Sequence, residues 1–492
     1  MIANVGGSLW RRFDISEQVW EEARTYKIMG DWYLYSVIAG GGQIAYEPSA
    51  VSYFRIHDSN TSGSSAQSKP EYYKEYARLM TSLKHQWDIP DSTLMRFIEV
   101  CRSVARGAGM QAADVDKLID YQALSTVPRE NIHVLVGILG FSFGGGEIFP
   151  IHLANALRRK GIMVSVLQMH DADDHKDVRR MLDPGIPVYT SNVVRDIGID
   201  NFIKNAGISI VNSHVANVDG FLLDGAGISI PFISTLHGSY EAMDVATSRI
   251  DRWSKKIDKF AYTADRNLKP FDNLQIGREK FVKVKNAMPV DEVAFPRSRS
   301  QLGIAENAVV FSLVARGAEG KGWVEAVKAY RLLRERRPDV PMAMLMVGEG
   351  PATDEAKRLA SDPTIHFLGF VKEIYGLYRI SDVALIPTRF HGESYPLCLI
   401  QALQVGVPCV STDVGEIKAM SEIDGQPAGI ILANDNDDGR FVTALTAAME
   451  KILEQDIRDG FRKIAERLGT TYDIDVLADD YLNQYRSILA TK

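Results

Sequence analysis

The sequence is poor in cysteine. Its three thiols, Cys101, Cys398 and Cys409, show no paired ligand spacing, which excludes a disulfide framework or a cysteine-rich zinc site and fits a reducing compartment. Long apolar runs are also missing: His133–Leu139 and Ala308–Ala315 fall well short of the roughly 20 residues that span a bilayer as a helix. There is no basic excess. Lys and Arg total 56 against 63 Asp and Glu, a net charge of −7, so nothing draws the whole chain to nucleic acid or anionic lipid. The opening residues include Trp10, Arg11, Arg12 and Asp14 and do not read as a signal peptide. No internal repeat at solenoid spacing is visible. What remains is a 492-residue chain, 46% hydrophobic and 24% charged, a folded composition long enough for two or three domains. A cytoplasmic protein is expected, with room for peripheral contact at the inner face of the membrane.

From about Asn131, short β-branched runs alternate with amphipathic helical stretches. His133–Leu139, Met163–Gln168, Ile208–Asn212, Pro231–Leu236 and Phe281–Lys285 read as strands, with helices over Glu147–Lys160 and Tyr240–Ser254. A Pro-, Arg- and Ser-rich linker at Asn286–Ile304 interrupts the pattern. It restarts with strands at Ala308–Ala315, Met342–Val347, Thr364–Leu368, Val383–Pro387 and Pro408–Ser411, and helices at Trp323–Arg336 and Ser394–Val405. Such alternation predicts an α/β chain with two Rossmann-like, doubly wound parallel-sheet domains, whose strand ends face a cleft. Near the end, Leu477, Tyr481, Tyr485 and Leu489 recur at every fourth position, the spacing of a packing helix. The expected organisation is a small α+β segment at 1–95, a helical linker at 96–130, Rossmann-like domains at 131–290 and 291–472, and a closing helix at 473–492.

Four stretches carry chemistry. Gly144, Gly145 and Gly146 follow the first strand and open a helix, where small residues and free N–H groups let a phosphate or sugar approach. Arg316 and Lys321 straddle a small-residue loop after a strand, suited to neutralising a diphosphate without a metal. His237 ends a strand before a Gly-Ser turn, placed to bind a sugar hydroxyl or move a proton; His214, at another strand end, is a weaker candidate. Glu393 precedes Tyr395, Pro396 and Leu397 at the start of an apolar helix, whose positive end favours an ionised carboxylate. A further segment, Met169–Asp177, combines Asp and His in a loop, but ligand type alone is weak evidence, and a solvated acidic loop is the expectation there.

Together these stretches resemble a retaining GT-B glycosyltransferase of family 4, over about residues 131–492. Gly145-Gly146-Glu147 resembles that family's glycine loop, and Thr235-Leu236-His237-Gly238 its histidine strand end. Arg316 with Lys321-Gly322 resembles its cation pair, Gly348-Glu349-Gly350-Pro351 its glycine turn, and Asp382–Pro387 followed by Glu393 its strand and acidic motif. The family has two acids with seven residues between them, the first near the sugar and the second on the nucleotide ribose. Here Glu393 keeps the first position and Gln401 stands at the second, where an amide oxygen can still accept a hydroxyl hydrogen bond, uncharged. Separately, residues 1–95, with Asp31-Trp32, resemble the carboxyl-terminal part of a GT-A family 2 glycosyltransferase. The nucleotide-binding half of such a module is not in this sequence, so the segment reads as a remnant or as part of a longer bifunctional chain.

The resemblance implies transfer of a sugar from a nucleotide-diphosphate sugar to a glycan or lipid-linked glycan acceptor in surface polysaccharide synthesis, by a hexosyltransferase-type enzyme. It implies His237 and Glu393 as catalytic residues, and Arg316, Lys321, Tyr395, Pro396 and Leu397 on the donor diphosphate. Gln401 would take the ribose and Gly144–Gly146 would form the glycine loop. No metal, other cofactor or nucleic acid is expected. Two other classes remain open: an isomerase resembling nucleotide-sugar 2-epimerases, and a non-catalytic glycan-binding or scaffold subunit.

Overall fold

The computed structural model describes residues 15–39, 67–86, 89, 91–111, 114–115, 117–119, 132–170, 175–183, 185–225 and 228–491. The first sheet contains β1 (His133–Ile138), β2 (Met163–Gln168), β3 (Val188–Thr190), β4 (Ile210–Ser213), β5 (Phe232–Leu236), β6 (Lys259–Tyr262) and β7 (Phe281–Lys283). Their order is β3-β2-β1-β4-β5-β6-β7. The second contains β8 (Val309–Val314), β9 (Met342–Val347), β10 (Ile365–Gly369), β11 (Val383–Ile386) and β12 (Cys409–Thr412). A small antiparallel hairpin, β13 (Glu422–Ile423) with β14 (Gln426–Pro427), precedes its last strand, β15 (Gly429–Leu432). The second sheet runs β10-β9-β8-β11-β12-β15, parallel throughout.

Each order reverses direction once, after the first three strands. Crossover connections therefore leave on opposite faces at β1/β4 and at β8/β11, which opens a crevice at the carboxyl ends of those strands. The central strands are apolar on both faces because helices cover both: β1 and β9 are buried along their whole length. The core of the second sheet joins Phe311, Met344 and Leu385 to Trp323, Tyr330 and Leu333 of the helix Trp323–Arg336.

Two parallel-sheet, Rossmann-like domains are thus present, as expected. β2, β9 and the helix Trp323–Arg336 fall where the sequence pattern puts them. The pattern does not reveal β3, β6 and β15, which are three or four residues long. Two helices need correction. The expected Tyr240–Ser254 helix is two, Ser239–Ala242 and Thr247–Ser254, broken where Asp244 turns to φ 47°. The helix expected from Ser394 runs Leu397–Gln404; Pro396 is extended (φ −67°, ψ 125°) and caps it instead of entering its first turn.

By contact density the chain divides into two compact units. The first comprises Met1–Val136, Leu157–Gln168 and Arg179–Ile210. Its described amino-terminal part is helical: Glu17–Arg24, Gly30–Ala39, Pro70–Gln86 and Asp91–Gly107. These helices share a core of Tyr26, Met29, Tyr33, Tyr73, Tyr76, Phe97 and Cys101. Glu75 ties down the turn before the second helix by accepting from the backbone N–H groups of Lys27, Ile28 and Met29 at 2.8, 2.8 and 3.1 Å. Asp31 lies in the first turn of Gly30–Ala39 and accepts from the Trp32 N–H. The strands expected after residue 39 fall outside the described residues.

The second unit comprises Gly137–Ala156, Met169–Val178 and Val211–Lys492. Its last helix, Ile474–Leu489, is capped by Asp473 and returns to the first sheet. There the Tyr485 hydroxyl donates to Asn212 Oδ1 at 2.6 Å, and Tyr481 lies 3.5 Å from Thr235 Oγ1. Among the described residues no helix is long and apolar enough to cross a membrane.

Candidate active site

The glycine loop, His214, His237, Arg316, Lys321, Glu393, Tyr395–Leu397 and Gln401 all lie in the second unit, on loops and helices that follow strands of the two sheets. The loop after β1 lies against both the Leu397 helix start and His237. A Cβ on Gly145 would sit 3.5 Å from Leu397, and one on Gly146 3.7 Å from the Cβ of His237. The Gly144 position is already occupied by the carboxylate of Glu147. Burial raises the pKa of Glu147, and the Arg316 guanidinium opposes that rise. The glycine loop therefore touches the histidine strand end, the helix start and the field of the first cation.

His237 ends β5 beside His214, which follows β4; the strands are neighbours in the sheet. The rings stack at 16° with centroids 5.4 Å apart, and His214 Nδ1 lies 3.1 Å from His237 Nε2. Phe149 packs edge-on against His237 at 5.5 Å. Burial lowers the pKa of His237 to about 4; burial and then the His237 charge lower that of His214 well below its usual value. Both imidazoles are neutral at pH 7.

Across the crevice, Lys321 and Glu393 are not independent: Lys321 Nζ donates to Glu393 Oε2 at 2.6 Å, and their side chains are only 12% and 13% exposed. The ammonium also sits 4.8 Å above the Phe390 ring. The loop that carries it is held by backbone geometry. Gly322 has φ 81°, and a Cβ there would meet the Pro387 carbonyl at 2.4 Å. Lys321 has three N–H donors, so the pairing with Glu393 leaves two for a ligand. Arg316 is exposed, and among the described residues no side-chain hydrogen bond or ion pair occupies its guanidinium.

The Glu393 turn is braced from both sheets. Arg266 Nη1 donates to the Glu393 carbonyl at 3.1 Å, Asn267 Nδ2 to Ser394 Oγ at 3.3 Å, and the Glu416 N–H to the Ser394 carbonyl at 2.9 Å. Of the three residues at this helix start expected on the donor diphosphate, Pro396 has no N–H, so only Tyr395 and Leu397 can offer it a backbone donor. The Tyr395 ring is packed against Tyr472, and burial raises its phenol pKa. Gln401 lies a turn into the helix Leu397–Gln404, half-buried, with its amide unbonded among the described residues.

Sequence reading missed Arg266, Asn267 and Glu416 as parts of this site. Arg266 and Asn267 follow β6, too short to be read as a strand, so nothing marked them as strand-end residues. In the acidic loop, His175 packs edge-on against Phe143 and its Nδ1 accepts from the Asp177 N–H; residues 171–174 lie outside the described residues.

Residues 308–454 match the family model described as "Glycosyl transferases group 1", and residues 143–268 that described as "Glycosyltransferase Family 4". A D-inositol 3-phosphate glycosyltransferase from Corynebacterium kroppenstedtii is 30% identical over 169 residues, 32% of this chain and 36% of the relative. An Escherichia coli UDP-Gal:alpha-D-GlcNAc-diphosphoundecaprenol alpha-1,3-galactosyltransferase is 24% identical over 190 residues, 37% of this chain and 47% of the relative. The matched segments thus span less than half of either relative's length. Among solved structures, Anabaena HepE in complex with UDP-glucose shares the fold, with a TM-score of 0.58 and 15% identity over 72% of this chain and 100% of that one. The chain thus has two paired Rossmann-like domains in the fold shared with that structure, and each domain contains a segment that matches a glycosyltransferase family model.

Proposed function

We propose that this protein is a retaining, metal-independent hexosyltransferase that moves a sugar from a nucleotide-diphosphate sugar to a glycan or lipid-linked glycan, in surface polysaccharide synthesis. The observation that carries this reading is the meeting of the glycine loop, His237, Lys321 and Glu393 around one helix start, with the exposed Arg316 close enough to act on Glu147 of that loop.

In this reading the bond between the anomeric carbon and the diphosphate oxygen breaks, and the acceptor oxygen bonds to that carbon on the face the diphosphate leaves. The acceptor proton goes to the released nucleoside diphosphate. Negative charge grows on the leaving oxygen, and fixed cations lower the barrier by meeting it there. Arg316 and the two remaining Lys321 donors supply that charge, with the Tyr395 and Leu397 amides. Glu393, anchored by Lys321, and His237 orient sugar hydroxyls, and Gln401 takes the ribose. Residues 1–95 are read as a GT-A-like remnant with no role in this step.

The reading is tested with a panel of UDP-, GDP- and dTDP-sugars in EDTA, with and without a lipid-diphosphate sugar acceptor. One donor is expected to give a product whose anomeric configuration, read by NMR, matches the donor. Sugar conversion without acceptor would instead establish an isomerase. Nucleotide binding without turnover in any combination would establish a glycan-binding or scaffold subunit, a reading that the uncharged Gln401 favours.

A further inference from the structure

His214 is 2% exposed, and its Nε2 has no hydrogen-bond partner among the described residues. Its surroundings are aromatic: Phe149 lies 5.8 Å and Tyr481 6.5 Å away between ring centroids. Its other nitrogen, Nδ1, is 3.1 Å from His237 Nε2, and both rings are neutral, so a single proton lies between them. Two arrangements satisfy that contact. If His214 Nδ1 carried the proton, Nε2 would be a bare lone pair buried beside the Phe149 and Tyr481 rings with no N–H or O–H donor to satisfy it. If His214 Nε2 carries it instead, an N–H sits among those rings, where N–H to π contacts are favourable. His214 Nδ1 is then an acceptor, and the shared proton belongs to His237 Nε2.

We infer that His214 is a positioning residue that holds His237 in the tautomer protonated at Nε2, leaving His237 Nδ1 a bare acceptor for a hydroxyl of the donor sugar. The role for His237 rests on the reading proposed above; the tautomer itself does not. In this state His237 accepts a hydrogen bond from a sugar hydroxyl and cannot donate one from Nδ1. The preference is therefore for a sugar presenting a free hydroxyl, not a bare carbonyl or ether oxygen, at that point. Tyr481 belongs to the helix Ile474–Leu489, so the final segment of the chain supplies part of the wall that sets the proton on a strand-end histidine.

The test is long-range proton–nitrogen NMR of protein labelled with 15N-histidine, at pH 7 and without ligand, with His237 assigned from its loss in His237→Gln. The expected pattern is a protonated Nε2 and an unprotonated Nδ1 on His237. In His214→Asn, whose amide oxygen reaches about where Nδ1 stood, the pattern is expected to persist. In His214→Leu it is expected to be lost, with a drop in kcat/KM of about tenfold, the worth of one oriented hydrogen bond. A wild-type His237 protonated at Nδ1, or an unchanged pattern in His214→Leu, overturns the inference. Should His214→Leu not fold, the wild-type and His214→Asn spectra still decide. The expected spectra with no turnover of any donor would leave the imidazole pair standing and sink the transferase reading alone.

Discussion

Replacing Lys321 with Ala strands the Glu393 carboxylate, and the consequence can be sized. The two charges meet at 2.6 Å with 12% and 13% of their side chains exposed, a setting close to the interior but with one edge in water. Removing one member of a fully buried pair costs about 3–5 kcal/mol, chiefly because the survivor stays desolvated and unpaired. The remaining exposure lowers that figure, and loss of the contact between the Lys321 ammonium and Phe390 restores about 0.5–1 kcal/mol of it. A net loss of about 3 kcal/mol is expected for Lys321→Ala. Glu393→Gln alone should also destabilise. The double variant should lose less than the sum, with a coupling of about 1.5–3 kcal/mol. Urea unfolding followed by tryptophan fluorescence suits the question. Trp323 lies two residues from Lys321, and its indole N–H donates to the Arg316 carbonyl at 2.9 Å, so it reports on this loop. Arg316→Ala is the internal contrast: exposed and without a side-chain hydrogen bond or ion pair among the described residues, it should change stability by no more than about 0.5 kcal/mol while weakening nucleotide binding. A Lys321→Ala protein as stable as wild type, or a double variant equal to the sum of the singles, would refute the reasoning.

Two further outcomes are expected. An unfolded histidine takes up its proton near its ordinary pKa of about 6.5, whereas folded His237 does so near 4, so in that window the unfolded state binds more protons. Stability is therefore full above about pH 6.5 and falls as the pH drops toward 4, by up to about 1.4 kcal/mol per pH unit for each such imidazole. His237→Gln should flatten this dependence in urea titrations at several pH values; an unchanged slope would show that His237 is not held neutral. Gln401→Glu replaces a neutral acceptor with a charged one, and charged acceptors form hydrogen bonds about twice as strong. Calorimetry should show nucleoside diphosphate affinity rising about fivefold, whereas equal or weaker binding would place the ribose elsewhere.

The legible parts of this molecule are those whose signal is local. The run Met342–Val347 is apolar on both faces and long enough to stand out as a buried strand, and the spacing in Trp323–Arg336 has the helical period. Three of the shorter strands, β3, β6 and β15, are illegible because three or four residues carry no period; β4, β7, β11 and β12 are as short but lie within longer apolar runs. With β6 went the residues just beyond it, Arg266 and Asn267, which brace the acidic turn. The helix expected from Tyr240 to Ser254 failed at Asp244, where a left-handed residue breaks a pattern that composition alone would have continued.

By itself the sequence determined the two-sheet plan, the residues at its strand ends, and the substitution of Gln for an acid at position 401. These follow from period, turn residues and side-chain chemistry, all readable within a dozen neighbours. Only the tertiary structure decided that Lys321 and Glu393, 72 residues apart, neutralise each other, and that His214 and His237, 23 apart, share a proton. It alone put Tyr481 beside them. Those pairings depend on strand order and on the return of the last helix to the first sheet. Contacts of that range are set by how the whole chain buries its apolar surface, which no short stretch encodes.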